Sequence, residues 1–361
     1  MAKRKQRRDE FQDISSYSSK QAYKKNQKKK KRTGLKVFLS FICVILVLVG
    51  GVMIYASTVL LGGLKTTTIT KDKTELGISE ETKSEAGITN IALFGVDARD
   101  YDGGTFAGRS DAIMVMSIDN VHHKVKLTSI MRDVRVYMGD GSPYDSGYDK
   151  LNHAYMYGGP EQAIRTINQN FGLDIQDYVT VNFSAMAKIV DAFGGVNIDL
   201  TEEEVEQINI NMHDLAATSP DSMAGDVSTY APLSAGEGVL LNGDEAVAYG
   251  RIRAIGNDNG RVERQQEVLS ALLSKASSIS KLEYPSIIQQ LAPLCETSLT
   301  FDKMIGLAQI ALTGFDIERL SIPSDVEGYA SDYCEGGGWM WTYDTDVAAQ
   351  HIHEFIYEDE N

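Results

Sequence analysis

Residues 37–64 carry no formal charge, and their core reads VFLSFICVILVLVGGVMIYASTVLL. About 20 apolar residues are enough to cross a bilayer as a helix, so this stretch constrains everything around it. Its two flanks must sit on opposite sides of a membrane. Residues 1–36 hold 14 Lys/Arg and 3 Asp/Glu, a net of +11, whereas the remainder holds 21 basic and 47 acidic residues, a net of −26. Lysine-rich flanks stay in the cytoplasm, which puts the C-terminal bulk outside the cell. A cleaved signal peptide is the alternative. Its apolar core is normally shorter, its basic region is rarely this long, and no small-x-small site closes the span. The expected organisation is a cytoplasmic tail (1–36), a retained transmembrane helix (37–62), an extracellular linker (63–88) and one external domain (89–361).

The run KKNQKKKKR (24–32) lies close to the membrane and has no structural periodicity. A disordered tail on anionic inner-leaflet lipid accounts for it without a nucleic-acid partner. The −26 domain likewise argues against binding nucleic acid. Of the three cysteines, Cys43 lies in the span, while Cys295 and Cys334 are external. There they form either a bridge or two buried thiols. No CxxC or HExxH occurs, and the six histidines show no metal-ligand spacing.

Residues 65–88 are polar and nearly free of aromatics, which reads as a stalk. Beyond them strands and helices alternate. Asn90–Val96 reads as a buried strand ending at Asp97. Residues 112–119 and 124–130 read as two strands joined by a tight turn. Pro160–Phe171 is a helix stopped by Gly172, and Tyr178–Phe183 is a strand. Ser184 is expected to cap the next helix, and Thr201 with Glu204 to form a capping box. Residues 210–233 show no period and read as a loop or lid. Asn242 is expected to cap a helix ending near Tyr249, and a long helix to run from about Arg261 to Ser280. A strand at Leu320–Pro323 and a helix over Val347–Tyr357 close the chain. The order predicts an α/β class: a layered α/β/α domain with a central mixed sheet, preceded by a single transmembrane helix. Met, Val, Ile and Phe on the helices are core by default, and a lipid tail fits among them only if a cavity stays open.

Ten arginines follow the span, four between Arg99 and Arg135 and four between Arg251 and Arg264. GVDAR (95–99) and GRSD (108–111) set Asp97 and Asp111 two residues from Arg99 and Arg109. Isolated Asp–Arg pairs are usually surface pairs of little consequence. Two such pairs at neighbouring strand mouths instead suit a divalent metal and a small multivalent anion such as a pyrophosphate. Arg132-Asp133 reaches the same sheet end if its strand runs parallel to the first. Lys150 and Asn152 follow a Gly/Asp/Ser loop. Arg251, Arg253, Arg261 and Arg264 bracket a glycine-rich turn, with the last two expected in the first turns of a helix, where an anion would offset the macrodipole.

GVDAR, GRSD, MRD, DKLNHAYMYGG, VNF, DAFGGV, LNGDEAVAYGRIR and RVERQQ, in this order from about Ile91 to Ala276, resemble the LytR-CpsA-Psr family. Met131 stands where the family commonly has Pro, and Asp258-Asn-Gly-Arg261 where it reads closer to Asp-Phe-x-Arg. The resemblance implies a magnesium-dependent (Mg2+ or Mn2+) phosphotransferase at the cell membrane. Its donor would be a polyprenyl-pyrophosphate-linked glycan in membrane lipid, and its acceptor the 6-hydroxyl of N-acetylmuramic acid in peptidoglycan or another wall component. It implies Asp97 and Asp111 at the metal, with Asp258 as a further candidate. Arg99, Arg109, Arg132, Arg251, Arg253, Arg261, Arg264 and Gln265 would surround the pyrophosphate, with Arg99, Arg109, Arg132, Asp133, Arg251 and Arg253 as the catalytic set. Either Asp133 or Asp258 would take the acceptor proton. A hydrolase using water as acceptor, and a non-catalytic envelope regulator or scaffold, are the rival readings. A scaffold has no need of the arginine and aspartate set.

Overall fold

The computed structural model describes residues 64–96, 106, 108–218, 232–278, 280, 283–300, 303–304, 307, 315–334 and 338–358. The apolar span, Asp97, Arg99 and the side chain of Asp258 lie outside the described residues. Among the described residues no helix is long and apolar enough to cross a membrane.

A seven-stranded mixed sheet organises the domain. Its strands are β1 (Lys65–Thr66), β2 (Ile88–Val96), β3 (Ser110–Asp119), β4 (Lys124–Ile130), β7 (Asp177–Asn182), β10 (Cys295–Thr297) and β11 (Asp316–Ile322), in the order β1-β10-β7-β2-β3-β4-β11. Two-stranded ribbons are formed by β5 (Arg135–Tyr137) with β6 (Tyr148–Lys150), β8 (Val196–Leu200) with β9 (Gly236–Leu241), and β12 (Ala330–Cys334) with β13 (Gly338–Thr342). The helices are α1 (Leu151–Phe171), α2 (Phe183–Ala192), α3 (Glu202–Thr218), α4 (Gly243–Gly250), α5 (Asn257–Ser278), α6 (Tyr284–Leu291) and α7 (Thr345–Tyr357).

Strand alternation divides the core between the two faces of the sheet. On β2, Ala92, Phe94 and Val96 pack with Ile164 and Ile167 of α1 and Ile352 and Ile356 of α7. Ile91, with Leu93 beside it, turns the other way, toward Leu269 and Leu273 of α5. A further cluster joins α2, α3, α4 and α5 to the β8–β9 ribbon. Antiparallel pairing of β2 with β3 and of β3 with β4 makes β4 parallel to β2. The ends of β2 and β4 and the start of β3 therefore share one edge.

Several expectations need correction. Residues 65–78 are not a free stalk: β1 joins the sheet, and Ile69, Leu76 and Ile78 are buried in the main core. Their polar composition hides three apolar anchors. The expected Pro160–Phe171 helix is present, but a further helical segment from Leu151 precedes it across a break at Gly158 (φ −143°, ψ 23°) and Gly159 (φ 65°, ψ −158°), so α1 is two helices meeting at a kink. Asn182, not Ser184, caps α2, accepting from Ala185 N at 2.7 Å. Helix α3 extends to Thr218, so residues 210–218 of the expected loop are helical, and residues 219–231 lie outside the described set. Helix α5 begins at Asn257, which moves Arg261 and Arg264 past its first turn. Cys295 and Cys334 are unbridged. The capping box at Thr201/Glu204 and the Asn242 cap form as expected, the latter completed into a box by Glu245.

One glycine sets the spacing of two helices that matter below. A Cβ on Gly243, the first residue of α4, would lie 2.1 Å from Ala187 O in α2. The Gly243 N–H also donates to Asp191 Oδ1 at 2.8 Å, locking the approach. Gly243→Ala is expected to cost about 1–3 kcal/mol through overpacking. Scanning calorimetry should show this as a fall of several degrees in Tm, and an unchanged Tm would mean that the two helices separate freely.

Candidate functional site

The shared sheet edge is the floor of a cavity of about 650 Å³. Arg109 and Asp111 reach it from the start of β3, and Arg132 and Asp133 from the end of β4. Lys150, Asn152 and His153 come from the junction of β6 with α1. Arg251 and Arg253 follow α4, and Arg261 and Gln265 come from α5. Six cationic residues against two carboxylates line the described wall. In a chain of net charge −15 this local excess calls for a multivalent anion.

A continuous set of ion pairs holds the floor. Arg132 Nη1 donates to Asp111 Oδ1 at 2.6 Å, and Arg132 Nε to Asp133 Oδ2 at 2.8 Å. Lys150 Nζ takes the other oxygen of Asp133 at 3.0 Å. Burial raises the Asp133 carboxyl, but Arg132 and Lys150 outweigh it and hold the group below the usual carboxylate range. Burial lowers the Arg132 guanidinium, and Asp111 and Asp133 reverse that, so it stays charged. With both oxygens engaged and its proton affinity lowered, Asp133 works as a clamp on two cations. That weighs against it as the proton acceptor.

Arg251 and Arg253 flank Ile252, which is fully buried. Arg251 terminates α4 with helical angles (φ −101°, ψ −4°). Both side chains still line the cavity, because the buried isoleucine between them anchors the turn. The guanidinium of Arg251 also stands 5.0 Å from the Phe183 ring centroid. Arg264 goes elsewhere. Its Nε donates to Glu204 Oε1 at 3.0 Å and its Nη1 to Ile255 O at 2.9 Å, so it braces α5 against α3 outside the cavity wall. Asp97, Arg99 and the side chain of Asp258 are not described. Val96, immediately before Asp97, pairs with Ser110, immediately before Asp111.

Spacing arguments missed His153, Phe183 and Asn211 in the wall. Asn152 Oδ1 is buried without a hydrogen-bond partner, which leaves an acceptor for a ligand donor. The one available sequence signal for His153 was Asp149-x3-His153-x3-Tyr157, which repeats at helical spacing.

An apolar cavity of about 240 Å³ adjoins the polar one. Leu93, Gly95, Met114 and Val181 of the sheet form its floor, and Met186, Ile189, Ala246, Val268, Leu269 and Leu272 of α2, α4 and α5 form its roof. Cys295 also faces it, and burial pushes that thiol up to about 11. Phe183, Gly250 and Gln265 belong to both cavities, and Gln265 Nε2 donates to Gly250 O at 3.3 Å at the seam. One amphiphile, apolar along its length and anionic at its head, matches this pair of spaces.

The LytR_cpsA_psr family model matches residues 56–355. The polyisoprenyl-teichoic acid–peptidoglycan teichoic acid transferase TagT of Bacillus subtilis (strain 168) is 26% identical over 313 residues, 83% of this chain and 91% of that protein. The corresponding TagU transferase of Bacillus mycoides (strain KBAB4) is 29% identical over 287 residues, 78% and 82% of the two chains. The solved structure of the LytR-CPS2A-psr family protein YwtF (TagT) with bound octaprenyl pyrophosphate lipid superposes with a TM-score of 0.55 at 21% identity, covering 80% of this chain and 99% of that one. With its sheet order, its arginine-lined edge and a family match across most of its length, the chain belongs to the LytR-CpsA-Psr family.

Proposed function

We propose that this chain is a membrane-anchored phosphotransferase. It would move a glycan phosphate from a polyprenyl-pyrophosphate-linked glycopolymer to peptidoglycan, with the 6-hydroxyl of N-acetylmuramic acid as acceptor. The observation that carries the reading is the junction of the two cavities at Phe183, Gly250 and Gln265. The polyprenyl chain occupies the apolar cavity, and the diphosphate sits among Arg109, Arg132, Arg251, Arg253 and Arg261. The names of the related transferases and the lipid-bound relative support the same assignment.

The acceptor oxygen attacks the sugar-proximal phosphorus, and the bridging bond to the polyprenyl phosphate breaks. Negative charge grows on the departing phosphate. Guanidiniums already fixed by Asp111, Asp133 and Ile252 stabilise it without reorganising. Arg132 and Lys150 cannot swing away, because Asp133 holds both. Magnesium is the ion expected for these aspartates, and one described oxygen is open to it. Asp111 Oδ1 is taken by Arg132, while Oδ2 carries no hydrogen bond among the described residues and offers a hard oxygen. Asp97 and Asp111, with Asp258 as a third candidate, would hold the ion, and it would neutralise diphosphate charge. The +11 tail and the uncharged span support a domain outside the cell.

The direct test uses the full-length protein in detergent with magnesium, a lipid-linked oligosaccharide and peptidoglycan fragments. Mass spectrometry should find the coupled glycan phosphate and free polyprenyl phosphate. Release of phosphoglycan regardless of acceptor would establish the hydrolase instead. Chelation, or Asp97→Ala with Asp111→Ala, should abolish turnover, and full activity in chelator would remove the metal. Arg251→Lys and Arg253→Lys should each slow transfer at least tenfold, roughly 1.4 kcal/mol of transition-state stabilisation, because lysine cannot make the guanidinium fork. Both side chains are exposed, so Tm should hardly move. Met186→Trp should fill the apolar cavity and raise KM for the lipid donor, while KM for the acceptor stays as it was. Protease added to intact protoplasts should remove the domain, and complete protection would reverse the topology.

A further inference from the structure

Next to the cation clamp stands a second buried carboxylate with a different set of partners. Asp149, the middle residue of β6, is fully buried. Its Oδ1 accepts from the Lys150 backbone N–H at 2.7 Å. Its Oδ2 faces His153 Nδ1 at 3.0 Å and accepts from the Tyr157 hydroxyl at 2.6 Å. His153 and Tyr157 lie one turn apart on α1, and Asp149, on the strand that leads into the helix, faces both. The Tyr157 ring closes against the imidazole edge-on, with centroids 5.9 Å apart. Burial raises the Asp149 carboxyl, but His153, Tyr157 and the Lys150 amide outweigh it, so the group stays ionised.

This arrangement settles the tautomer of His153. An ionised carboxylate accepts only, so the proton of the neutral ring resides on Nδ1. The lone pair is then on Nε2, which has no hydrogen-bond partner among the described residues. His153 lines the cationic cavity, between Lys150 and Asn152 in sequence. Asp111 and Asp133 in the same wall are both drawn onto Arg132. His153 thus carries the described wall's imidazole lone pair, oriented by a carboxylate from behind. A histidine needed only for packing would not require a buried charge held by three donors at its back.

We infer that His153, oriented by Asp149, is the general base that takes the proton from the acceptor hydroxyl. The inference rests on the phosphotransferase reading. As the acceptor O–H bond breaks, its proton passes to Nε2. The oxygen's electron pair forms the new bond to the sugar-proximal phosphorus. The bridging P–O bond breaks, and its pair leaves on the polyprenyl phosphate. Asp149 stabilises the imidazolium until the proton passes to water, as an aspartate does behind a catalytic histidine elsewhere. Tyr157 is a positioning residue, because it touches Asp149 and the ring but does not line the cavity.

His153→Gln in the full-length protein tests this against transfer from a lipid-linked oligosaccharide to peptidoglycan fragments. Turnover should fall by at least about a hundredfold, the usual contribution of a positioned base. KM for the lipid donor and Tm should stay at their wild-type values. Imidazole added to His153→Ala should restore part of the lost rate, which a structural role would not allow. Asp149→Asn should reverse the tautomer and slow turnover, and its effect should not add to that of His153→Gln. If that buried substitution prevents folding, His153→Gln decides alone. Turnover by His153→Gln close to wild type would overturn the assignment. So would a loss that appears as raised donor KM or lowered Tm, or an absence of imidazole rescue. If the wild-type protein itself forms no coupled product, the phosphotransferase reading fails first. That result is distinct from an active wild type with an active His153→Gln.

Discussion

Arg132 holds two carboxylates at once, Asp111 from the start of β3 and Asp133 from the end of β4, and the rest of the site is built on that contact. Asp133 passes the constraint to Lys150 at the entrance to α1. The backbone between them is pinned as firmly. Arg132 O accepts from Asn152 N at 2.9 Å, Val134 O from Leu151 N at 3.0 Å, and Asp133 O from Trp341 N at 3.0 Å. Two sheet strands, the start of α1 and the β12–β13 ribbon therefore meet on one tripeptide, Arg132 to Val134. Removing one member would strand a buried charge, a larger penalty than the pair's net stabilisation. The same rigidity would let the cations meet the proposed diphosphate without rearrangement.

Separating the two cavities by chemistry keeps their functions from interfering. The apolar cavity lies under α2, α4 and α5 against one face of the sheet, and the cationic cavity lies at the sheet edge. Gln265 and Gly250 stand where they meet. A neutral amide at that seam bonds to a carbonyl without drawing the ion pairs into the apolar space. A charge there would need a partner at the mouth of the apolar cavity. Arg264, one residue earlier on α5, faces away to Glu204, so the helix presents an amide to the seam and an ion pair to α3.

Much of this was legible in the residues. The two arginine windows marked the cavity, alternation of strands and turns placed Asp111 and Arg132 at one edge, and the Thr201 capping box and the Asn242 cap located α3 and α4. What escaped depended on distant partners. Arg264 resembled its cavity-lining neighbours until Glu204, sixty positions away, claimed it. Residues 65–78 looked like a stalk because three apolar anchors among threonines and charges carry no period. The early start of α5 was hidden by Gly260, which a helix ordinarily avoids. Here its lack of a side chain lets Ile255 O approach to 2.7 Å of where a Cβ would stand. Asn182 outcompeted Ser184 as a cap because β7 ends at Asn182, a boundary that composition does not mark.

Asp133 and Asp149 show how neighbours divide the work of two similar carboxylates. Both are buried, both stay ionised against the cost of burial, and Lys150 contacts both, through its ammonium in one case and its amide in the other. Asp133 meets a guanidinium and an ammonium, groups that do not give up a proton at neutral pH, so it fixes charge in place. Asp149 meets an imidazole, the one side chain whose two ring nitrogens can hold a proton at one end while accepting one at the other. Placing the first behind the phosphate and the second behind the acceptor separates charge neutralisation from proton movement, although one residue joins them. A displacement at phosphorus needs both at the same moment, and a rigid junction at Lys150 brings them to one cavity without letting either carboxylate take the other's role.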